Sequence, residues 1–316
     1  MIIALSGGVG GAKLALGLAR VIPPEDLIVV VNTGDDFEHL GLSISPDIDT
    51  VTYTLAGIAN RELGWGRHDE TWSFMETMEA LGGETWFRLG DRDVALHVER
   101  TRRLNSGETL SSVTADFCRR LGIRSHVVPM SDDPVRTRLH TDEGWLDFQE
   151  YFVHRRCEPA VHELLFQGAG AARAHPDFLA ALTDPSLLAI VICPSNPFIS
   201  VEPILAIPGV RQAMIDSPAP IIAVSPIIAG QAVKGPTAKM MKELGLDPSA
   251  GTVAHRYHDL LDGYVIDHAD MSEVVSIDAR VTLAQTMMRT MEDREALART
   301  VLDAAAVLRR RKPARR

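Results

Sequence analysis

Apolar runs of strand length recur along the chain, with helical patterns between them. Residues 2–5 read as a short buried strand, and residues 27–32 form a continuous β-branched run of the kind buried on both faces of a sheet. Between them lies the helical pattern Lys13-Leu-Ala-Leu-Gly-Leu-Ala-Arg20, of a length that suits a right-handed crossover. Further strands are expected at 125–129, 187–193, 220–225 and 263–267, and helices at 110–121, 201–214 and 239–244. This alternation predicts an α/β fold built on a parallel sheet.

Two stretches depart from the alternation. Residues 49–103 read as mostly helical, with Trp65, Trp72, Phe74 and Trp86 as aromatic anchors. Residues 135–152 read as a hairpin turning at 142–144. Both are expected to cover one end of the sheet, as insertions at about 49–103 and 130–185 in a single domain over 1–308. The closing run, Arg309-Arg-Arg-Lys-Pro-Ala-Arg-Arg316, reads as a solvated, disordered tail.

Composition narrows the class. Of 316 residues, 46% are hydrophobic and 23% charged, as in ordinary globular proteins. A net charge of -10 argues against general nucleic-acid binding, which needs a basic surface. Cys118, Cys157 and Cys193 are isolated, odd in number and without metal spacing, so they read as reduced thiols. No segment has transmembrane length and the N-terminus lacks a basic leader, which predicts a cytoplasmic protein without a membrane partner.

The densest chemical signal follows the first strand. In Ser6-Gly-Gly-Val-Gly-Gly-Ala-Lys13, residues 7–11 read as a glycine loop whose N–H groups approach a phosphate at a helix N-terminus. It is not a P-loop, since Leu14 follows Lys13, and it lacks the third small residue of a dinucleotide fingerprint. Other strands end in Asn32-Thr-Gly-Asp-Asp36, Pro129-Met-Ser-Asp-Asp-Pro134, Pro194-Ser-Asn-Pro197 and Ser225-Pro-Ile-Ile228. Ligands of open parallel sheets bind beyond those ends, so the loops are expected to converge on one site.

Asp35 and Asp36 suit either a ribose or a magnesium ion. In Ser45-Pro46-Asp47, the serine reads as an N-cap, and Asp47 is explained by the helix dipole. Asp49 has no such explanation and is the better functional candidate. Around Gly90, Arg88, Asp91, Arg92 and Asp93 suggest arginine contact to a phosphate or carboxylate, with an aspartate orienting it.

Together these segments, with Ile44-Ser-Pro-Asp-Ile-Asp-Thr-Val51, Trp65-Gly-Arg-His-Asp-Glu-Thr-Trp72 and Leu89-Gly-Asp-Arg-Asp93, resemble the 2-phospho-L-lactate transferase family of coenzyme F-420 biosynthesis. Leu96 departs from the family pattern, which often carries Thr before the histidine. The resemblance implies a Rossmann-like fold with helical insertions, a magnesium requirement and a homodimer. It implies transfer of a phosphorylated three-carbon acid from a guanosine-diphosphate-linked donor to the ribityl hydroxyl of the deazaflavin Fo, with GMP leaving. A donor-activating guanylyltransferase would be the pathway neighbour. By position, Asp49, Arg88, Asp91 and Arg92 look like deazaflavin contacts, with Asp49 catalytic. Gly7, Gly8, Gly10, Gly11, Lys13, Ser195, Asn196 and Ser225 look like the donor's side, and Asp35, Asp36 and Asp49 like magnesium ligands. The alternative is a nucleotide-sugar-binding regulator of the gluconeogenesis-factor type, which shares the scaffold and lacks turnover.

Overall fold

A computed structural model describes residues 1–60, 62, 64–232 and 235–309. The chain opens with β1 (Ile2–Ser6), α1 (Gly8–Val21) and β2 (Leu27–Val31). A small hairpin, β3 (Phe37–His39) and β4 (Leu42–Ile44), leads into α2 (Pro46–Leu55), α3 (Ser73–Ala80), α4 (Asp91–Asn105) and α5 (Leu110–Arg120). Then come β5 (His126–Pro129), β6 (Arg136–Thr141), β7 (Gly144–Asp147) and β8 (Val161–Gln167). The second half runs through α6 (Pro176–Leu182), β9 (Ala189–Ile192), α7 (Glu202–Leu205), α8 (Val210–Asp216) and β10 (Ile221–Val224). A two-residue ribbon, β11 (Ile227–Ile228) with β12 (Gln231–Ala232), precedes α9 (Thr237–Glu243) and α10 (Ala250–Arg256). The chain closes with β13 (Gly263–Asp267), β14 (Arg280–Ala284) and α11 (Met291–Arg309).

Seven strands form one sheet in the order β14-β13-β10-β9-β1-β2-β5, and every pairing is parallel. Alternate residues divide between the faces. Ile3, Leu5, Val30 and Ile192 join one buried cluster, while Ile2, Ala4, Val29 and Val191 join the other. Burial on both faces explains the uninterrupted apolar runs. The chain leaves β1 for β2 on one side, and β9 returns on the other. The crevice at the ends of β1 and β9 is therefore the topological switch point, where such sheets bind ligands.

The α/β architecture is as expected, with local corrections. Helix α1 begins at Gly8, so the glycine loop shrinks to Gly7 and the other glycines form the first turn. The edge strand β14 is half-exposed and short, which hides it from a reading of buried runs. The expected hairpin gains a third strand, β8, paired antiparallel to β6. The helix expected at 201–214 is broken, because Gly209 at φ +81° separates α7 from α8. Arg309 ends α11 rather than starting the tail, and the rest of the tail lies outside the described residues. Ile44, Met75 and Leu89 form a third, separate small core within the helical insertion. No single described helix is long and apolar enough to cross a membrane.

Candidate functional site

The first turn of α1 is built by close approach. Ser195, at the end of β9, accepts the N–H of Gly7 at 3.1 Å and donates its hydroxyl to the Gly7 carbonyl at 2.8 Å. Those two bonds join the ends of β1 and β9. Gly8 adopts φ +61°, a conformation that favours glycine, and donates its N–H to Asp47 Oδ1 at 2.7 Å. A Cβ on Gly10 would lie 2.2 Å from the Pro194 carbonyl oxygen, so only glycine lets the helix enter here. Gly11 packs behind this turn, against Ser6 and Ser195.

A cavity of about 580 Å³ opens over this turn. Of the expected donor-side residues, Gly7, Gly8, Gly10, Lys13, Ser195, Asn196 and Ser225 all line it, and Gly11 does not. Lys13 donates to the Met288 carbonyl at 3.0 Å, which holds the ammonium at the wall. The Ser225 hydroxyl is used within its own turn, between the N–H and C=O of Ile227. Asn196 caps the following helical turn by accepting the N–H of Phe198 at 2.9 Å. Three of these polar groups thus shape the wall through bonds within the protein.

Acidic residues gather at the same end. Asp35 and Asp47 line the cavity, and Asp36 and Asp49 are buried behind it. Asn32 donates to Asp47 Oδ2 at 2.9 Å and to the Ile199 carbonyl at 3.1 Å, so both Asp47 oxygens are held. Burial pushes the Asp47 carboxyl up to about 6. Burial first, then the charge of Asp47, raises Asp35 well above the carboxylate range. Burial raises Asp36 to about 7 against the opposing charge of Arg136. Asp35 Oδ1 and Asp36 Oδ1 are buried without a hydrogen-bond partner.

Asp47 and Asp49 are not placed as the sequence suggests. Asp47 faces the cavity, whereas Asp49 is turned to Arg100, whose guanidinium grips both of its oxygens. His97 lies between Asp49 at 3.8 Å and Asp93 at 3.3 Å, and Asp93 accepts the Tyr53 hydroxyl. Two residues apart on a helix point in nearly opposite directions, and α2 packs so that Asp47 takes the cavity side. Ser45 does not cap α2 with its side chain; its hydroxyl donates to Asp36 Oδ2 at 2.8 Å.

The cavity also has an aromatic lining, formed by Trp65, Trp86, Phe87, Phe148 and Phe152, with Arg88 among them. Phe148 and Phe152 stack at 5.3 Å between centroids, and Trp86 stacks on His154 at 5.1 Å. The Arg88 guanidinium lies 4.4 Å from the Trp72 ring. Two other residues expected here sit elsewhere. Asp91 serves the start of α3, accepting the N–H groups of Ser73 and Phe74, and Arg92 points to solvent. The Phe148 and Phe152 wall comes from the segment after the hairpin, which nothing in the local sequence marks as a binding surface.

The family model described as 2-phospho-L-lactate transferase CofD matches residues 2–306. The chain belongs to this family. It is 41% identical to a phosphoenolpyruvate transferase of Kitasatospora aureofaciens, over 98% of each chain. It is 37% identical to a 2-phospho-L-lactate transferase of Methanosarcina mazei, over 96% of this chain and 99% of that one. Both matches support a transferase acting on small molecules. A crystal structure of a UPF0052-family protein from Bacillus halodurans shares the fold, with a TM-score of 0.63 at 13% identity over 95% of this CofD-family chain and 99% of that chain.

Proposed function

We propose that the protein transfers a phosphorylated three-carbon acid from a guanosine-diphosphate-linked donor to the ribityl hydroxyl of Fo, releasing GMP. The observation that carries this reading is one cavity lined by two chemically distinct sets of residues. The aromatic wall suits a flat deazaflavin ring. The glycine turn, Lys13 and the carboxylates suit a diphosphate with a counter-ion. Because relatives such as the Kitasatospora protein are named phosphoenolpyruvate transferases, the enolpyruvyl donor is the first to test, ahead of the lactyl and glyceryl ones.

The chemistry needs positioning and charge balance more than a covalent intermediate. The ribityl oxygen bonds to the phosphorus that carries the acid, and the bond from that phosphorus to the oxygen shared with GMP breaks. Lys13 and the N–H groups of Val9 and Gly10 hold the phosphates, since those of Gly7 and Gly8 are given to Ser195 and Asp47. Asp47, facing the cavity with raised proton affinity, orients the hydroxyl and accepts its proton. Arg88 and the aromatic wall hold the acceptor ring.

A magnesium ion fits the oxygens of Asp35 and Asp36 that lack a partner among the described residues, while Asp49 is neutralised by Arg100. Among the described residues no three His, Cys, Asp or Glu side chains are grouped to hold a metal, so Asp35, Asp36 and Asp49 are not brought together as one ligand set. When bound it supplies charge neutralisation to the leaving diphosphate oxygen. In the cell the protein is read as cytoplasmic and homodimeric, with a guanylyltransferase supplying its donor.

The deciding experiment mixes the protein with Fo, magnesium and each GDP-linked acid in turn, and follows the products by mass spectrometry. A phosphodiester of Fo together with GMP establishes the reaction and names the acid. Absence of product with every donor, despite Fo binding, overturns it.

A further inference from the structure

A second cavity, of about 540 Å³, opens beside the first. It lies between α1, the C-terminal half of α2 and the start of α11. Lys13 and Arg20 face it from one stripe of α1, and Arg289 and Arg294 face it from the approach and first turn of α11. The positive end of the α11 dipole adds to their field. Among the described residues that line it, Glu62 is the one acid set against these four cations. One of the four cations, Arg20, is already paired with Glu295 at 3.4 Å, which leaves Lys13, Arg289 and Arg294 as the cations of the site. Asp293 accepts the backbone N–H groups of Arg289 at 2.9 Å and Thr290 at 2.8 Å.

On a chain with a net charge of -10, this is a local reversal of sign inside a concave site. Low-dielectric walls focus such a field on whatever enters. The cavity also shares a wall with the first, since Val9, Lys13, Thr50, Gly64 and Trp65 line both. A charge held in one is therefore felt in the other, through Lys13.

We propose that this second cavity is a phosphate-binding subsite, in which Arg289 and Arg294 grip phosphate oxygens beside Lys13. Guanidinium forks match phosphate geometry and keep their charge at any working pH. Two sources share that chemistry: a free phosphate or diphosphate, or a phosphate of a nucleotide that reaches past Lys13. The proposal does not depend on the transfer reaction, because it concerns binding alone.

The test is calorimetric titration of the full chain at low salt, without magnesium, using inorganic diphosphate and, separately, GDP. Arg289→Ala and Arg294→Gln are compared with the unaltered protein, and Arg289→Lys serves as the conservative control. Arg289 is exposed, so its replacement leaves the fold intact. Diphosphate affinity is expected to fall roughly tenfold in Arg289→Ala and Arg294→Gln, with part of it kept in Arg289→Lys. A parallel fall in GDP affinity assigns the phosphate to the nucleotide, and unchanged GDP affinity assigns a free oxyanion site. Diphosphate and GDP affinities that both stay the same in the two arginine variants overturn the proposal, as does failure of the unaltered protein to bind diphosphate.

Discussion

Asp47 Oδ1 accepts the backbone N–H of Gly8 at 2.7 Å, at the N-terminus of the helix that carries Lys13. An internal carboxylate therefore sits on an N–H of the glycine turn, and Asn32 holds its other oxygen. The turn is shaped by a side chain from α2, so the two helices set the site jointly.

Replacing Asp47 by Asn leaves one acceptor oxygen where two N–H donors are now satisfied. The expected cost is about 1–3 kcal/mol, as for a buried donor left without a partner, partly offset by removal of a poorly solvated charge. Urea unfolding of Asp47→Asn reads the stability, and calorimetry with GDP reads the turn. A variant with unchanged GDP affinity would show that Asp47 does not shape the phosphate side.

The raised carboxyls imply a pH dependence with a definite sign. Asp36 and Asp47 hold protons more tightly folded, at about 7 and about 6, than at the usual unfolded value of about 3.9. The folded state binds more protons across that window, so these groups make stability fall as pH rises from about 4 to about 7. Unfolding measured across this range should be flatter in Asp36→Asn than in the unaltered protein. Added magnesium should recover stability at the upper end, where Asp36 begins to ionise. An identical pH profile in Asp36→Asn counts against the buried-charge assignment.

Arg100 is 1% exposed and neutralises Asp49. Arg100→Leu leaves that carboxylate buried without its cation, and is expected to cost about 3–5 kcal/mol of stability. Asp49→Asn breaks the same pair from the other side. Urea unfolding of the two single variants and the double variant separates the pair's coupling from the sum of its parts. Additive losses would mean that the two side chains do not act as a unit.

Lys13→Ala should keep the fold and weaken nucleotide binding by about 1–3 kcal/mol, the range for a charge-assisted contact. The lost bond to the Met288 carbonyl is at the half-buried wall, so the effect on stability should be smaller. Calorimetry with GDP decides, and equal affinities exclude a phosphate contact by this lysine.

Phe152→Ala removes half of the Phe148–Phe152 stack in the aromatic lining. Fo binding, followed by deazaflavin fluorescence, should weaken by about 0.5–1.5 kcal/mol, the usual worth of one aromatic contact. GDP binding should not change, because Phe152 belongs to the aromatic lining and not to the glycine turn. Weakening of GDP and Fo together would place the two ligands differently.

Much was legible from residue order alone. The apolar runs at β1, β2, β9, β10 and β13 are those of strands buried on both faces, and their alternation with helices dictates a parallel sheet. The glycines after β1 mark a place where chain segments must nearly touch, and Ser195 and Pro194 are among what they touch. These are local properties of pattern and size. Which of Asp47 and Asp49 faces the cavity is not local, because it depends on how α2 is rotated against α1. The aromatic wall likewise draws on residues 65, 86–87 and 148–152, which only the packing of two insertions brings together. Arg100 reaches Asp49 across 51 positions of chain, a pairing that no short-range periodicity encodes.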